Sequence, residues 1–506
     1  MRKYVMVIIG LLLAQLMAGC GGNSSSTTNY FSTIISGITP ETIVAGEVSS
    51  GMTLYLKDIT GTTTIQFTGA TAYSMTQPSG SIKTGTWQVA GGNIVLTDGS
   101  GTKQTFSRIQ KEDTAKYWLV FDTSTNTISR LYSDLASALA YHPELMGGSI
   151  QGTPLNLTTA SVTSIPYGSK SGVAGITDSS GNQALFNRPM SITTDGINYY
   201  VADYANHAIR KIDPSTGAVS IFAGSGSGAA GFADGTGTAA SFNQPTGITT
   251  DGTNLYVADY ANHTIRQIVI STKEVTTIAG AALVAGTVDS TLGGTLARFN
   301  LPMGITTDGT NLYVADYGDH SIRKVVISTH AVSTIAGFAG YLGVADGYYV
   351  NARFNGPSRL TMDGSNLYVT DYANHTIRKI VIATGFVSTL AGNSAVLSSQ
   401  DGIGLAATFY HLGGITTDGT DLYVGDFNDL FTNGDGTIAT PWRTYIRKIN
   451  IKNKQVTTIA GGDASAQFAV AGTGTVARFV TPFGITTDGK SLLITNANVN
   501  NISQIK

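Results

Sequence analysis

In the last two-thirds of the chain the apolar residues come in short β-branched and aromatic runs, never at helical spacing over a useful length. Residues 247–280 show the pattern most clearly, as GITT, LYVAD, TIRQIVI and VTTIAG. DGTN separates the first two runs and STKE the last two. Asp-Gly between extended apolar runs predicts a hairpin, because Gly tolerates positive φ and Asp hydrogen-bonds locally. The unit therefore reads as a four-stranded antiparallel meander. Leu255 and Val257 alternate with Tyr256 and Ala258, so both faces are apolar and each needs a neighbour to cover it.

The same words return at SITTDG (191–196), GITTDG (304–309), RLTMDG (359–364), GITTDG (414–419) and GITTDG (484–489). Their aspartates, Asp195, Asp251, Asp308, Asp363, Asp418 and Asp488, are 56, 57, 55, 55 and 70 residues apart. A fixed period signals a repeat array. Meanders that are apolar on both faces are buried by radial stacking, which is the β-propeller arrangement. The stretches between units keep their own pattern, a Gly-Asp-Gly run and then Phe-Asn-x-Pro (Phe242 to Pro245, Phe299 to Pro302, Phe354 to Pro357), which predicts ordered connectors. The sixth unit supplies only three runs, GITT, SLLIT and NISQIK, while SVTSIPYG (161–168) matches VTTIAG with one extra residue. Residues 161–167 are thus expected to pair with 500–505 and close the ring, with Pro166 tolerated on an outermost edge.

A Pro-x-Gly-Ile opening, a Tyr-Val-Ala-Asp strand and Asn-His-x-Ile-Arg resemble the NHL family, closely over 186–460 and less so over 479–506. The resemblance implies a six-bladed propeller, in agreement with six units. It also implies the alternative function, since some NHL-like propellers are lyases with a metal in the central channel.

The N-terminal segment MRKYVMVIIGLLLAQLMAGC has two basic residues, a short apolar core and small residues before a cysteine, which reads as an export signal. LMAGC resembles the lipobox of bacterial lipoproteins, making Cys20 the expected lipidation site. Gly21 after it would by that family's rules favour the outer membrane. The expected organisation is a signal peptide (1–19), a lipidated tether (20–29), a small antiparallel β barrel or sandwich (30–150) and the propeller (151–506). Within 30–150, runs such as MTLYLKDI and YWLVFD alternate, and 85–109 resembles the meander of lipocalin-like domains. SDLASALAYHPEL (133–145) predicts a short helix, capped by Ser133 and ended by Pro143.

Charged residues are only 12% of the chain and the net charge is −2, against 61 glycines, which suits an extracytoplasmic protein and gives no overall footprint for nucleic acid. Cys20 is the single cysteine, so no internal disulfide exists. Gly-x-Ser-x-Gly, His-Glu-x-x-His and P-loop motifs are absent.

Strand two ends in Asp203, Asp259, Asp316, Asp371 and Asp426, and strand three begins with Arg210, Arg266, Arg323, Arg378 and Arg447. The sixth unit replaces both together, with Asn496 and Ser503. That covariation within one chain predicts a structural ion pair in each blade. The histidines at 207, 263, 320 and 375 are expected in turns and blade packing rather than on a metal. Asn-Gly-Asp-Gly (433–436) after Asp429 resembles part of a Ca²⁺ loop, but Phe431 stands at a ligand position and the closing Glu is missing; a plain turn is expected, with Ca²⁺ at 429–437 as the alternative. Tyr204, Tyr260, Tyr317 and Tyr372, together with Phe427, Phe431 and Trp442 of the insert in the fifth unit, form the candidate binding face. The expected function is non-catalytic capture of a cell-envelope protein or polysaccharide, with the lipid anchor as the sole membrane contact and no cofactor.

Overall fold

The computed structural model divides into two compact units, Met1–Pro143 and Glu144–Lys506. It describes the backbone of eight strands between Thr53 and Tyr132, then residues 155, 157, 161–428, 442–464, 469 and 472–506. The eight strands, from Thr53–Asp58 to Thr127–Tyr132, pair in sequence order and close into an antiparallel barrel. The lipidation site, the helix expected over 133–145 and the Ca²⁺ alternative at 429–437 lie outside the described residues.

The second unit is all-β and six-bladed. Blade 2 is typical, with strands Pro245–Thr250, Asn254–Asp259, Thr264–Val269 and Glu274–Gly280 in meander order from the axis outward. Leu255 and Val257 join Tyr200, Ile209 and Phe222 of blade 1 in one core. Tyr256 and Ala258 join Ile305, Leu312 and Val314 of blade 3 in the next. The alternation along a single strand thus supplies two different inter-blade cores, and burial of these side chains, at ~25 cal/mol per Å² of apolar surface, is what holds the blades together.

The connectors are ordered, and they do more than link. Gly235–Thr236 pairs with Val275 and Glu274, adding a short fifth strand to the outer edge of blade 2. The same clip occurs on every blade except the third, where Ser290 makes a single bridge to Val332.

Blade 6 is completed by Ser161–Gly168, which pairs with Asn501–Ile505. At Pro166 the edge expectation is joined by a second reason. Gly472–Thr473 covers the strand's outer side only at Val162 and Ser161. The register also jumps from Ile502↔Tyr167 to Gln504↔Ser164, so Pro166 falls in a bulge, where a missing N–H costs no ladder bond. Tyr167 then packs with Tyr199, Phe186 and Ile502 between the last blade and the first.

Candidate functional site

Each of the first five blades is locked by an arginine that joins two aspartates. In blade 2, Arg266 Nη1 donates to Asp259 at 2.8 Å and Nη2 to Asp234 at 2.7 Å. It also donates to the carbonyls of Ser241 and Ala233 and lies 5.1 Å from the centre of the Phe242 ring. Arg210, Arg323, Arg378 and Arg447 repeat the arrangement with Asp203, Asp316, Asp371 and Asp426. Their second partners are Asp178, Asp289, Asp346 and Asp401 of the connectors. These second acids were missed in the sequence, although the Asp-Gly or Asp-Ser of each connector, 32–34 residues before the arginine in blades 1–4, was a visible signal. Asp259 also accepts from the Asn243 amide at 2.8 Å and from Asn262 at 2.8 Å. Burial pushes its carboxyl up to about 6 against the pull of Arg266. In blade 6, Asn496 donates to Ser503 at 2.7 Å, a neutral bond in place of the ion pair.

The histidines act between blades. His207, His263, His320 and His375 all adopt left-handed backbone, φ 51–58°, a region in which His and Asn are enriched among non-glycine residues. His207 Nδ1 accepts the Gln244 amide of blade 2 at 3.0 Å, and His263 Nδ1 accepts Leu301 of blade 3 at 3.1 Å. Burial holds both imidazoles below their usual range, which keeps the ring nitrogen available as an acceptor. Asn500, left-handed at φ 55°, does the same for Arg188 of blade 1 at 2.8 Å. Among the described residues no group of three His, Cys, Asp or Glu could hold a metal ion.

The candidate binding aromatics are divided by the structure. Tyr204, Tyr260, Tyr317 and Tyr372 are half-buried in the turns after strand two. The rings of Tyr204 and Tyr260 lie 6.5 Å apart, and Tyr372 stacks on His411 at 4.8 Å. Phe427 does not belong to an exposed face. It is 1% exposed and packs edge-on against Phe483 at 5.1 Å, because strand two of blade 5 runs on as Asp421–Phe427 instead of turning after the aspartate. Phe431 lies outside the described residues, and of Trp442 only the backbone is described, paired with Ala464.

Two features had no counterpart among the expected residues. The first is a belt of exposed apolar side chains on the connectors entering blades 3 and 4, including Leu283, Leu292, Leu296, Tyr341, Leu342 and Tyr348. Leu292 is 87% exposed. Leu283 N donates to Asn262 O and Gly340 N to Asp319 O, both at 3.1 Å, which seats these connectors over the tyrosine-bearing turns. The second is the central channel, a cavity of about 90 Å³ lined by strand one of the blades. Thr193, Thr249, Thr306, Thr361, Thr416 and Thr486 ring it. One level up, the blades contribute Ser191, Gly247, Gly304, Arg359, Gly414 and Gly484. Close approach explains the glycines, since a Cβ on Gly304 would come 2.6 Å from Ser358 O. Arg359 is the exception and lies across the axis. Its Nε donates to Phe483 O at 3.1 Å, Nη1 to Ser358 O and Nη2 to Met190 O at 3.2 Å each.

No family profile matches the chain. It is 34% identical over 157 residues to NHL repeat-containing protein 2 of Bos taurus, covering 29% of this chain and 21% of that protein. It is 26% identical over 354 residues to the Gallus gallus protein of the same description, covering 64% and 46%. The chain therefore spans less than half the length of these curated relatives. Among solved structures, a structural genomics protein of unknown function from Bacteroides thetaiotaomicron aligns over 90% of both chains with a TM-score of 0.50 and 17% identity; that likeness concerns the fold alone. The sheet topology makes the second unit a six-bladed β-propeller, and its repeats are similar to those of NHL repeat-containing protein 2.

Proposed function

We propose that this NHL-repeat propeller is a non-catalytic binding module of an exported, lipid-anchored chain, and that it captures a protein of the cell envelope on its connector face. One observation carries the reading: Leu283, Tyr341 and Leu342 stand exposed on connectors seated over the turns that bear the half-buried tyrosines. Exposed apolar side chains clustered in this way mark interaction sites, and large rigid side chains dominate their energetics. Leucines outnumber hydrogen-bonding groups in the belt, which suits a protein better than a polysaccharide. The channel fits the lyase alternative poorly, because its lining is nearly the same threonine and isoleucine from blade to blade and its volume of about 90 Å³ is well below the ~300 Å³ at which substrate pockets begin.

The test uses the full chain and a Leu283→Asp/Tyr341→Asp variant as baits for solubilised envelope. Capture of one protein by the parent, lost in a variant that melts at the same temperature, supports the reading. Equal capture by both, or capture of polysaccharide only, overturns it. A stoichiometric transition metal in the purified protein would favour the enzyme instead. Metabolic labelling with palmitate, expected to vanish in Cys20→Ser, tests the anchor.

A further inference from the structure

We propose that the central channel binds a small anion, of halide or carboxylate size, in the cavity that Arg359 and the six threonines line together. This site is independent of the connector face. Arg359 is 5% exposed, and among the described residues no carboxylate forms an ion pair with it. Every other deeply buried arginine named above has two aspartates. A guanidinium brought out of water without a counter-charge is costly, and carbonyl dipoles offset only part of that cost. Burial accordingly pushes its pKa down to about 10, still far above neutrality, so the charge persists.

The donors that an anion needs are also present. Arg359 has five N–H groups, and three of them are used on the carbonyls of Phe483, Ser358 and Met190. The hydroxyls of Thr193, Thr249, Thr306, Thr361, Thr416 and Thr486 take no part in the hydrogen bonds among the described residues, yet all six residues line the same cavity as Arg359. A hydroxyl rotates to donate or accept as its neighbour demands, so the ring can turn its protons inward. The volume of about 90 Å³ gives ample room for a small anion. The position matters as well: Arg359 of blade 4 reaches carbonyls of blades 6 and 1, so an anion there would neutralise the charge that braces the ring across its axis.

The test compares thermal melting of the full chain in sodium bromide, sodium acetate and sodium gluconate at equal ionic strength, with gluconate as the bulky reference anion. The expected result is a melting temperature a few degrees higher in bromide or acetate, by linkage of binding to folding. That difference should disappear in Arg359→Met and shrink in Thr306→Val/Thr361→Val, a pair that keeps the arginine should the first variant fail to fold. Crystals grown in bromide should show an anomalous peak beside Arg359. Bromide melting above acetate identifies a halide site, and the reverse a carboxylate site. Equal melting in all three salts, or a channel without a bromide or acetate peak, overturns the proposal.

Discussion

Asp319 of blade 3 allows a gain of stability to be forecast. In blades 1, 2 and 4 its position is an asparagine whose Nδ2 serves two acceptors. Asn262 reaches Gly231 O at 2.7 Å and Asp259 at 2.8 Å, and Asn206 and Asn374 do likewise. Asp319 offers at most one proton, is 2% exposed, and leaves its Oδ2 without a hydrogen-bond partner. Burial pushes its carboxyl up to about 6, and its charge in turn helps raise Asp316. A folded pKa above the unfolded one means that the native state holds the proton more tightly. The favourable contribution is therefore present below the ordinary carboxylate range and is lost as pH climbs towards 6. The shift from 3.8 to about 6 sets a ceiling of ~3 kcal/mol. Asp319→Asn restores the two-acceptor amide and removes the charge, so it should stabilise the propeller by about 1–3 kcal/mol at pH 7 and by much less at pH 4. Denaturation of parent and variant at pH 4, 5, 6 and 7 reads this directly, because contributions from Asp203 and Asp259 cancel in the difference. The reverse change, Asn262→Asp, should create the same pH dependence in blade 2. A variant no more stable than the parent at pH 7, or a difference that ignores pH, would refute the reasoning.

Arg266→Ala leaves Asp259 buried and unpaired and should cost ~3–5 kcal/mol; a loss of no more than ~0.5 kcal/mol in melting or denaturation, typical of a surface change, would contradict it. Asp259→Asn/Arg266→Ser copies the neutral pair of blade 6 and should recover much of the loss suffered by Arg266→Ser alone, measured as a double-mutant cycle. Tyr200, Tyr256, Tyr313, Tyr368 and Tyr423 are buried and donate to the aspartates of the Asp-Gly turns at 2.7–3.0 Å. Burial and those carboxylates hold the phenols well above their usual range, so stability is intact below pH ~10 and falls above it, by ~1.4 kcal/mol per tyrosine per pH unit. Tyrosinate absorbance should then rise with unfolding in one cooperative step, and a gradual rise in a still-folded protein would count against it. His263→Asn should cost under ~1 kcal/mol, since Asn500 already makes that bond, whereas His263→Val loses both acceptor and left-handed preference and should cost at least ~2 kcal/mol in thermal melts.

The sequence by itself determined the blade, the number of blades and the closure, because all three follow from local periodicity. Alternation in LYVAD fixes which side chains face which neighbour, Asp-Gly fixes the turns, and six Asp-Gly words fix the count. The aspartate and arginine of each blade could be paired because their joint replacement in unit six is visible in one chain. Other features depend on segments that meet only in space. Asp234 reaches Arg266 after the connector folds back along the blade edge, and His207 finds the Gln244 amide only across a blade boundary. Tyr199 of blade 1 reaches Asp488 of blade 6, at 3.1 Å, only once the ring is closed. Phe427 looked like a surface aromatic because an insert usually loops outward, but extension of its strand turned it into the core. Arg359 was in plain view as the one charged residue at a position that is otherwise glycine or serine. That it is a buried cation without a counter-charge was decided by the convergence of six strands on one axis, since radial distance from that axis is a property no stretch of sequence encodes.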